Sequence, residues 1–520
     1  MRILKRLFLY TICTASAVTA GAQQSGADTA MQKVARYGDI TYLGNVATGS
    51  DNPVFISDTP VEQYSQIGVS YGMGKGGFHN IDESGDTRGL HVSAYGLKKL
   101  EKVAFEGGIT YTNGAEDRRK WKTTLYLDQR NPFILADTVD SDYALEKFTV
   151  DGRFSWQILP FMRFGINAFY EVGVNSDEQD PRAEVKGMRF KVNPGFGFKL
   201  SDRLNLGVTG GVRIFNEGTA YTCAVTATTH RFLLMSGLGT YYQQAGNSYQ
   251  RDTKGLQWDA SLQLVWDAPG MANYVEAGVG SNSEENTDGG TSRQFLGGEF
   301  SSDFLFVKER FMYKKGRAVH NVELAGILYR NEGVWYDQKS VTSNGQSYWE
   351  VMNSSVKHKE SAAEGSVAYR FDWLDGSCPL WSAGAKASLC YSDTYNYPDK
   401  YNMQYLTMLA DVSASRHIAI KRSFLSLTLG GRYGRALSSD ISVSGLELAD
   451  KYTYPLFHYL TAQHYGIYGR AETRIAIRAK RLSSYIGVYV EASTDQYAGS
   501  TEPYSGTRFN KVRGGVNFSF

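Results

Sequence analysis

His91-Val92-Ser93 sets a histidine and a serine two residues apart, on one face of any strand that holds them. An imidazole within hydrogen-bond reach of a hydroxyl is the start of nucleophilic catalysis. Here Leu90, Val92 and Ala94 take the opposite, apolar face, so His91 and Ser93 point to the polar side, where an enzyme acting on lipid would not want them. No asparagine at a suitable place orients the imidazole. The plainer reading is two polar wall residues. His458 and His464 are six apart and could share a strand face, but are then too far apart to hold one ion. They read as loop or rim residues. The run Ser283-Glu284-Glu285-Asn286-Thr287-Asp288 is acidic enough for calcium, yet lacks the ligand spacing of a dedicated loop, and reads as a solvated connection. KGGF and GDTRG offer glycine without a strand-to-helix phosphate cradle. No catalytic residue, cofactor or metal ligand is expected.

The arginines carry the remaining chemistry. From Tyr465 to Lys480, Ile467, Gly469, Ala471, Thr473, Ile475, Ile477 and Ala479 form one row. Arg470, Glu472, Arg474 and Arg478 form the other. Arg163, Arg213, Arg432 and Arg513 are expected to face the same interior. Charge at alternate places behind an apolar row suits a wet lumen inside a lipid-facing wall. Positive charge at a constriction would favour anions. Equally, the arginines would pair with lumen carboxylates and hold the wall in shape.

What must position these side chains is a set of long strands. Leu204 to Ile214, Leu256 to Trp266, Val103 to Tyr111, Met162 to Tyr170 and Leu425 to Tyr433 all alternate apolar and polar residues with a period of two. Trp258 and Trp266 lie near the ends of one apolar row, as aromatic girdles do. A soluble sandwich could show the same alternation, but its strands are commonly about 5 to 6 residues. These patterned segments run to about ten or more, a length that suits barrel strands. Short turns at Leu100-Glu101 and Ser201-Asp202 alternate with long polar stretches such as Gly280 to Ser292. The pattern predicts an all-β transmembrane antiparallel barrel of about 14–18 strands over residues 61–520. Mean hydropathy is −0.35 and no run of 18 apolar residues follows the leader, which excludes a helical membrane protein but not a barrel.

Residues 1–22 read as a secretory signal peptide: Arg2, Lys5 and Arg6, then an apolar run, then Ala20-Gly21-Ala22, leaving Gln23 first. Ile12 before Cys13 argues against a lipid anchor there. Cys223, Cys378 and Cys390 are expected as free thiols. Residues 23–60 are polar and turn-rich and read as a periplasmic arm or small plug, with a flexible leader as the alternative. With 55 basic and 53 acidic residues, nothing points to nucleic acid. At the far end Gly514, Val516, Phe518 and Phe520 share a parity, so the last residues read as a strand that must close on the first.

Two resemblances add to this. The terminal Val516-x-Phe518-x-Phe520 resembles the signal that the barrel-assembly machinery reads on bacterial outer-membrane barrels. The Asn52-Pro53 segment, DQRNPFILADTVDSDY at 128–143 and QDPRAEVKGMRFKVNPGFGF at 179–198 resemble an uncharacterised family of outer-membrane β-barrel proteins common in Bacteroidetes. The resemblance implies an outer-membrane location, contact with lipid, and a transport, channel or accessory role beside a TonB-dependent uptake receptor. It brings no active site. The rival readings are a lipid-active enzyme barrel built on His91 and Ser93, and a structural or assembly barrel that binds a partner.

Overall fold

The computed structural model describes residues 34–520 apart from 226–228, 290–293, 344, 421–422 and 480–481; at 478, 479, 482 and 483 only the backbone is described. Residues 1–22, read above as a signal peptide, therefore lie outside the described residues, as do 23–33.

The alternating segments all become strands. In chain order they are β1 (Gln63–Gly76), β2 (Asp86–Lys99), β3 (Val103–Lys122), β4 (Leu135–Leu159), β5 (Met162–Asp177), β6 (Arg182–Ser201) and β7 (Leu204–Thr222). A short hairpin follows, β8 (His230–Gly237) and β9 (Thr240–Gly246). Then come β10 (Ser248–Ala268), β11 (Met271–Asp288), β12 (Phe295–Lys315), β13 (Ala318–Ser343), β14 (Gln346–Asp375) and β15 (Cys378–Asn396). The last are β16 (Tyr401–Ile420), β17 (Ser423–Ser442), β18 (His464–Ala479), β19 (Leu482–Tyr497) and β20 (Arg508–Ser519). β7 pairs directly with β10, so the β8–β9 hairpin stands apart from the wall. The remaining 18 strands form one closed antiparallel barrel. Closure is made by β1, which pairs with β2 on one side and β20 on the other. Leaving no edge satisfies every wall strand within lipid.

Short turns join the strands at one rim: 100–102, 160–161, 202–203, 269–270 and 316–317. Long connections join them at the other, including 77–85, 123–134 and 443–463; the last carries helix α2 (Tyr454–Leu460). In outer-membrane barrels the short-turn rim is periplasmic. The two faces of the wall separate as the alternation requires. Along β10, Leu262 is 59% exposed on the outside while Gln263 is 1% exposed on the inside. The apolar outer row suits lipid, and at this point the inner row is covered by other protein, Asn52 lying on Gln263.

One expectation fails. The acidic run Ser283 to Asp288 is not a solvated connection. It continues β11, and Glu284, Asn286 and Asp288 turn inward and are buried. Most of Gly280 to Ser292 is likewise strand, up to Asp288. Beyond the bilayer both faces of a strand meet polar surroundings, so the alternation that reports strands elsewhere is lost.

Candidate functional site: a charged chamber on the inner wall

The segment from Val34 to Glu62 folds into the lumen at the short-turn rim. It forms helix α1 (Tyr37–Gly44) and a 3-10 helix (Pro53–Asp58) whose first turn is set by proline and by Asn52, whose side-chain oxygen accepts from the Val54 N–H at 3.2 Å. It touches the wall on every side. Tyr37 stacks on Tyr64 of β1 at 3.9 Å between centroids. Asp58 pairs with Arg163 of β5 at 2.6 Å. The Tyr42 ring lies under Arg310 of β12 at 3.6 Å, and its hydroxyl donates to Glu323 of β13 at 2.8 Å. Arg474 of β18 donates to the Ala35 carbonyl.

Its tightest seat is made of glycines. Asn52 donates to the carbonyls of Phe196 and Val208 and to Gln263 Oε1, at 3.1, 3.3 and 2.9 Å. A Cβ on Gly195 would lie 2.3 Å from Asn52 Oδ1, and one on Gly197 would lie 2.9 Å from Val54 Cγ2. The Asn52-Pro53 pair thus lands on the Gly-Phe-Gly that follows Asn193-Pro194. Two of the three stretches that share the family resemblance are in contact.

Asp39 clamps α1. It accepts from Arg36 Nε at 2.9 Å and from Arg370 Nη2 of β14 at 3.3 Å. Burial alone would raise this carboxyl, but the charges of Arg36, His417 and Arg370 outweigh it and hold it below its ordinary value. A folded-state pKa below the unfolded one adds stability above the usual aspartate range, and that stability is lost as pH falls through the lower folded value. Hydrogen-exchange protection of the 34–44 amides should therefore hold from neutral pH down to the ordinary aspartate range and be lost as pH falls from there through the lower folded value. Asp39→Asn should lower protection already at neutral pH; an unchanged acid profile in that variant would rule out the clamp.

The third resemblance stretch closes part of the opposite rim. The 123–134 connection dips into the lumen and is bolted by inward carboxylates. Glu217 accepts from the N–H groups of Leu125 and Tyr126 at 2.8 and 2.7 Å. Glu284 accepts from the Asp128 N–H at 3.1 Å and from Asn131 Nδ2 at 2.7 Å. Arg130 pairs with Glu360 at 3.0 Å and with Glu364. Asn131 turns the chain by accepting from the Phe133 N–H at 2.8 Å, and Phe133 is fully buried against Gly298 and Gly333. The β8–β9 hairpin adds Phe232 and Leu234 to the same apolar cluster.

Against the wall of β1–β3 and β16–β20 lies a chamber of about 750 Å³. Three of the expected arginines line it. Arg470 pairs with Glu472 at 2.9 Å and Glu491 at 3.1 Å. Arg513 stands 3.7 Å from Glu491 and 3.4 Å from His91 Nε2. Arg432 forms a two-pronged pair with Asp495, across Gly466. Tyr468 donates to Asp411 at 2.8 Å. Lys511, which the alternation did not single out, joins them from β20.

The other sequence-derived residues are spread elsewhere. Glu472 sits between Arg470 and Arg474, which it holds at 2.7 Å. Arg163 and Arg474 hold the inserted segment, Arg213 lies on β7 away from the chamber, and the Arg478 side chain is outside the described residues. His91 Nδ1 meets Thr112 Oγ1 at 3.1 Å, and among the described residues no hydrogen bond joins His91 to Ser93. His458 is on α2 and His464 begins β18, so the two do not share a strand face. Cys223, Cys378 and Cys390 are free thiols. Val516 and Phe518 face outward on β20, and Phe520 exchanges backbone hydrogen bonds with Ser65 at 2.8 and 2.9 Å. Glu217 was not singled out from the sequence, and Glu284 and Asp288 were read there as part of a solvated connection; the Asn131-Pro132 turn that two of these carboxylates hold was the available signal.

A family model described as "Family of unknown function (DUF6850)" matches residues 53–520. No curated protein matches the sequence. Among solved structures, the chain is similar to the copper transporter OprC, with 10% identity and a TM-score of 0.39 over 88% of this chain and 81% of that one. It is similar to the RagAB peptide importer in its closed-closed state, with 7% identity and a TM-score of 0.39 over 88% and 87%. It is also similar to a FadL homologue of Pseudomonas aeruginosa, with 11% identity and a TM-score of 0.34 over 96% and 99%. Likenesses this distant carry no argument about what the chain does.

Proposed function

The chain belongs to this family of unknown function, and from that premise we propose that it is a gated outer-membrane barrel for uptake of a small solute, non-enzymatic, with the inserted N-terminal segment as its gate. One observation carries the reading: a strand wall with a lipid-suited exterior encloses a charged chamber, and the segment from Val34 to Glu62 lies across the lumen at the short-turn rim. A purely structural wall would not need a chamber, and an open pore would not need the segment. The outward Val516 and Phe518, with Phe520, support recognition by the barrel-assembly machinery. Movement of the segment by an uptake receptor or another envelope partner would be the opening step.

The test is single-channel conductance in planar bilayers. The mature chain should be quiet. A form lacking residues 23–60 should give stable openings with a preference for anions, set by Lys511 and Arg513. Silence from both forms would sink the gate, and equal conductance from both would sink it too.

The enzyme reading rests on His91 and Ser93. With His91 turned to Thr112 and Arg513, it lacks the contact its chemistry needs.

A further inference from the structure

We propose that the chamber is a binding site for a small organic anion with a flat body, its acid group held by Lys511 and Arg513. The inference deepens the uptake reading and names the class of solute that the barrel would take.

The cations come first. Arg470 and Arg432 are consumed by carboxylates at close range. Arg513 is not: its contacts at 3.4 and 3.7 Å are longer than the about 2.7–2.9 Å of a charge-assisted hydrogen bond. Lys511 has no ion pair among the described residues; its ammonium lies 5.4 Å from the Phe509 ring centroid. The two are two apart on the inward row of β20, and both line the chamber. The carboxylates that would oppose an anion there are already engaged. Glu491 is shared by Arg470 and Arg513, Asp411 accepts from Tyr468, and Glu116 pairs with Arg119. Two under-used positive charges therefore face open space.

The shape comes from the same row of the barrel. Arg513 registers with Gly72 on β1, Gly72 with Gly89 on β2, and Gly89 with Gly114 on β3. Three adjacent strands thus present bare backbone at one height. Glycine in a strand interior weakens it, so its presence asks for a reason. Left-handed backbone is not the reason, since none of the three has a positive φ. Crowding is not the reason either: a Cβ would find its nearest neighbour at 3.4 Å on Gly72, 3.5 Å on Gly89 and 3.4 Å on Gly114. At other inner-wall positions a neighbour uses the space that a glycine leaves; Gly430 and Gly487 are two. Tyr468 would lie 2.2 Å from a Cβ on Gly430, and Asn517 2.2 Å from one on Gly487. At Gly72, Gly89 and Gly114 the space belongs to the chamber. Its volume of about 750 Å³ lies within the range of small-ligand sites. A bare shelf beside two cations suits a flat body that carries an acid group.

The test is equilibrium dialysis of the full mature barrel with labelled phthalate, a flat dianion. Inorganic phosphate serves as the anion without a body and benzamide as the flat body without charge. Phthalate should bind saturably at one per barrel, and phosphate and benzamide at least ten-fold more weakly. Gly89→Leu should abolish binding by filling the shelf. Lys511→Gln and Arg513→Gln, which leave the shelf intact, should each weaken it ten-fold or more. Gly96→Leu, on the outer face, should leave it unchanged, with heat-modifiable migration confirming that each variant is folded. Absence of saturable phthalate binding to the folded barrel, or binding that Gly89→Leu and Lys511→Gln leave untouched, overturns the site. Phosphate bound as tightly as phthalate overturns the shelf. Binding at equilibrium needs no transport, so a site that binds in a barrel that never conducts would retire the uptake reading alone.

Discussion

Replacing Asp288 with alanine is expected to cost about 3–5 kcal/mol, the largest single loss we foresee in this barrel. Arg251 and Asp288 face each other across β10 and β11, Nε to Oδ1 and Nη2 to Oδ2 both at 2.7 Å, with side chains 3% and 0% exposed. The remaining guanidinium nitrogen, Nη1, donates to the Phe133 carbonyl at 3.0 Å. One ion pair therefore ties two wall strands to the 123–134 connection. A two-pronged arginine–carboxylate pair in a dry setting compensates the loss of water only when both partners are present. Alanine leaves the guanidinium buried without its counter-charge, and the Arg251 fork that holds the Phe133 carbonyl loses the carboxylate that orients it. Urea unfolding should show a lowered midpoint, and hydrogen exchange should rise first in 123–134. The double variant Arg251→Met with Asp288→Leu should recover most of the loss, because a matched apolar pair has no charge to desolvate. A single variant as stable as the parent would refute the argument. A double variant worse than the single would refute the mechanism.

The same pair shows why part of this molecule could be read from its sequence and part could not. Within the bilayer one face of each strand meets lipid and the other a wet interior, so Leu256 to Trp266 and Tyr465 to Ile477 announce both their conformation and their inward residues. Above the bilayer that contrast is gone. Glu284, Asn286 and Asp288 alternate with Ser283, Glu285 and Thr287, and polarity alone does not tell the buried row from the exposed one. The run reads as loop although Glu284, Asn286 and Asp288 are buried in the lumen wall. The chamber had a similar fate. Arg432, Arg470 and Arg513 could be placed on the inner face, but what makes the chamber is the coincidence of Gly72, Gly89 and Gly114 at one height. That is a matter of register between strands, which no single strand's pattern carries. The α2 helix escaped for a third reason: TYPLFHYL is short, apolar and led by proline, and nothing in its neighbourhood announces a helix inside a connection.

Register also gives the second large effect, which needs no truncation. Gly195→Val should turn a quiet barrel into a conducting one. Gly195 pairs with Gly165 on β5 and Thr209 on β7, and valine is a better strand residue than glycine, so the wall itself has no reason to fail. The new side chain would instead enter the space held by Asn52 Oδ1 at 2.3 Å and Pro53 Cδ at 3.0 Å. Asn52 has little freedom to yield, because its amide is tied to Phe196, Val208 and Gln263 and its oxygen to the Val54 N–H. Moving it breaks those bonds together and lifts Val54 and Phe55 from the apolar cluster they share with Val265 and Tyr274. If the segment is the gate, the valine barrel should give openings of the size seen without residues 23–60, and Asn52→Gly alone, which removes the same four bonds without touching the wall, should open the barrel too. If the valine barrel folds, shows a displaced segment by protease cleavage within 34–60, and still passes no current, the closure lies at the opposite rim, with the 123–134 connection and the β8–β9 hairpin.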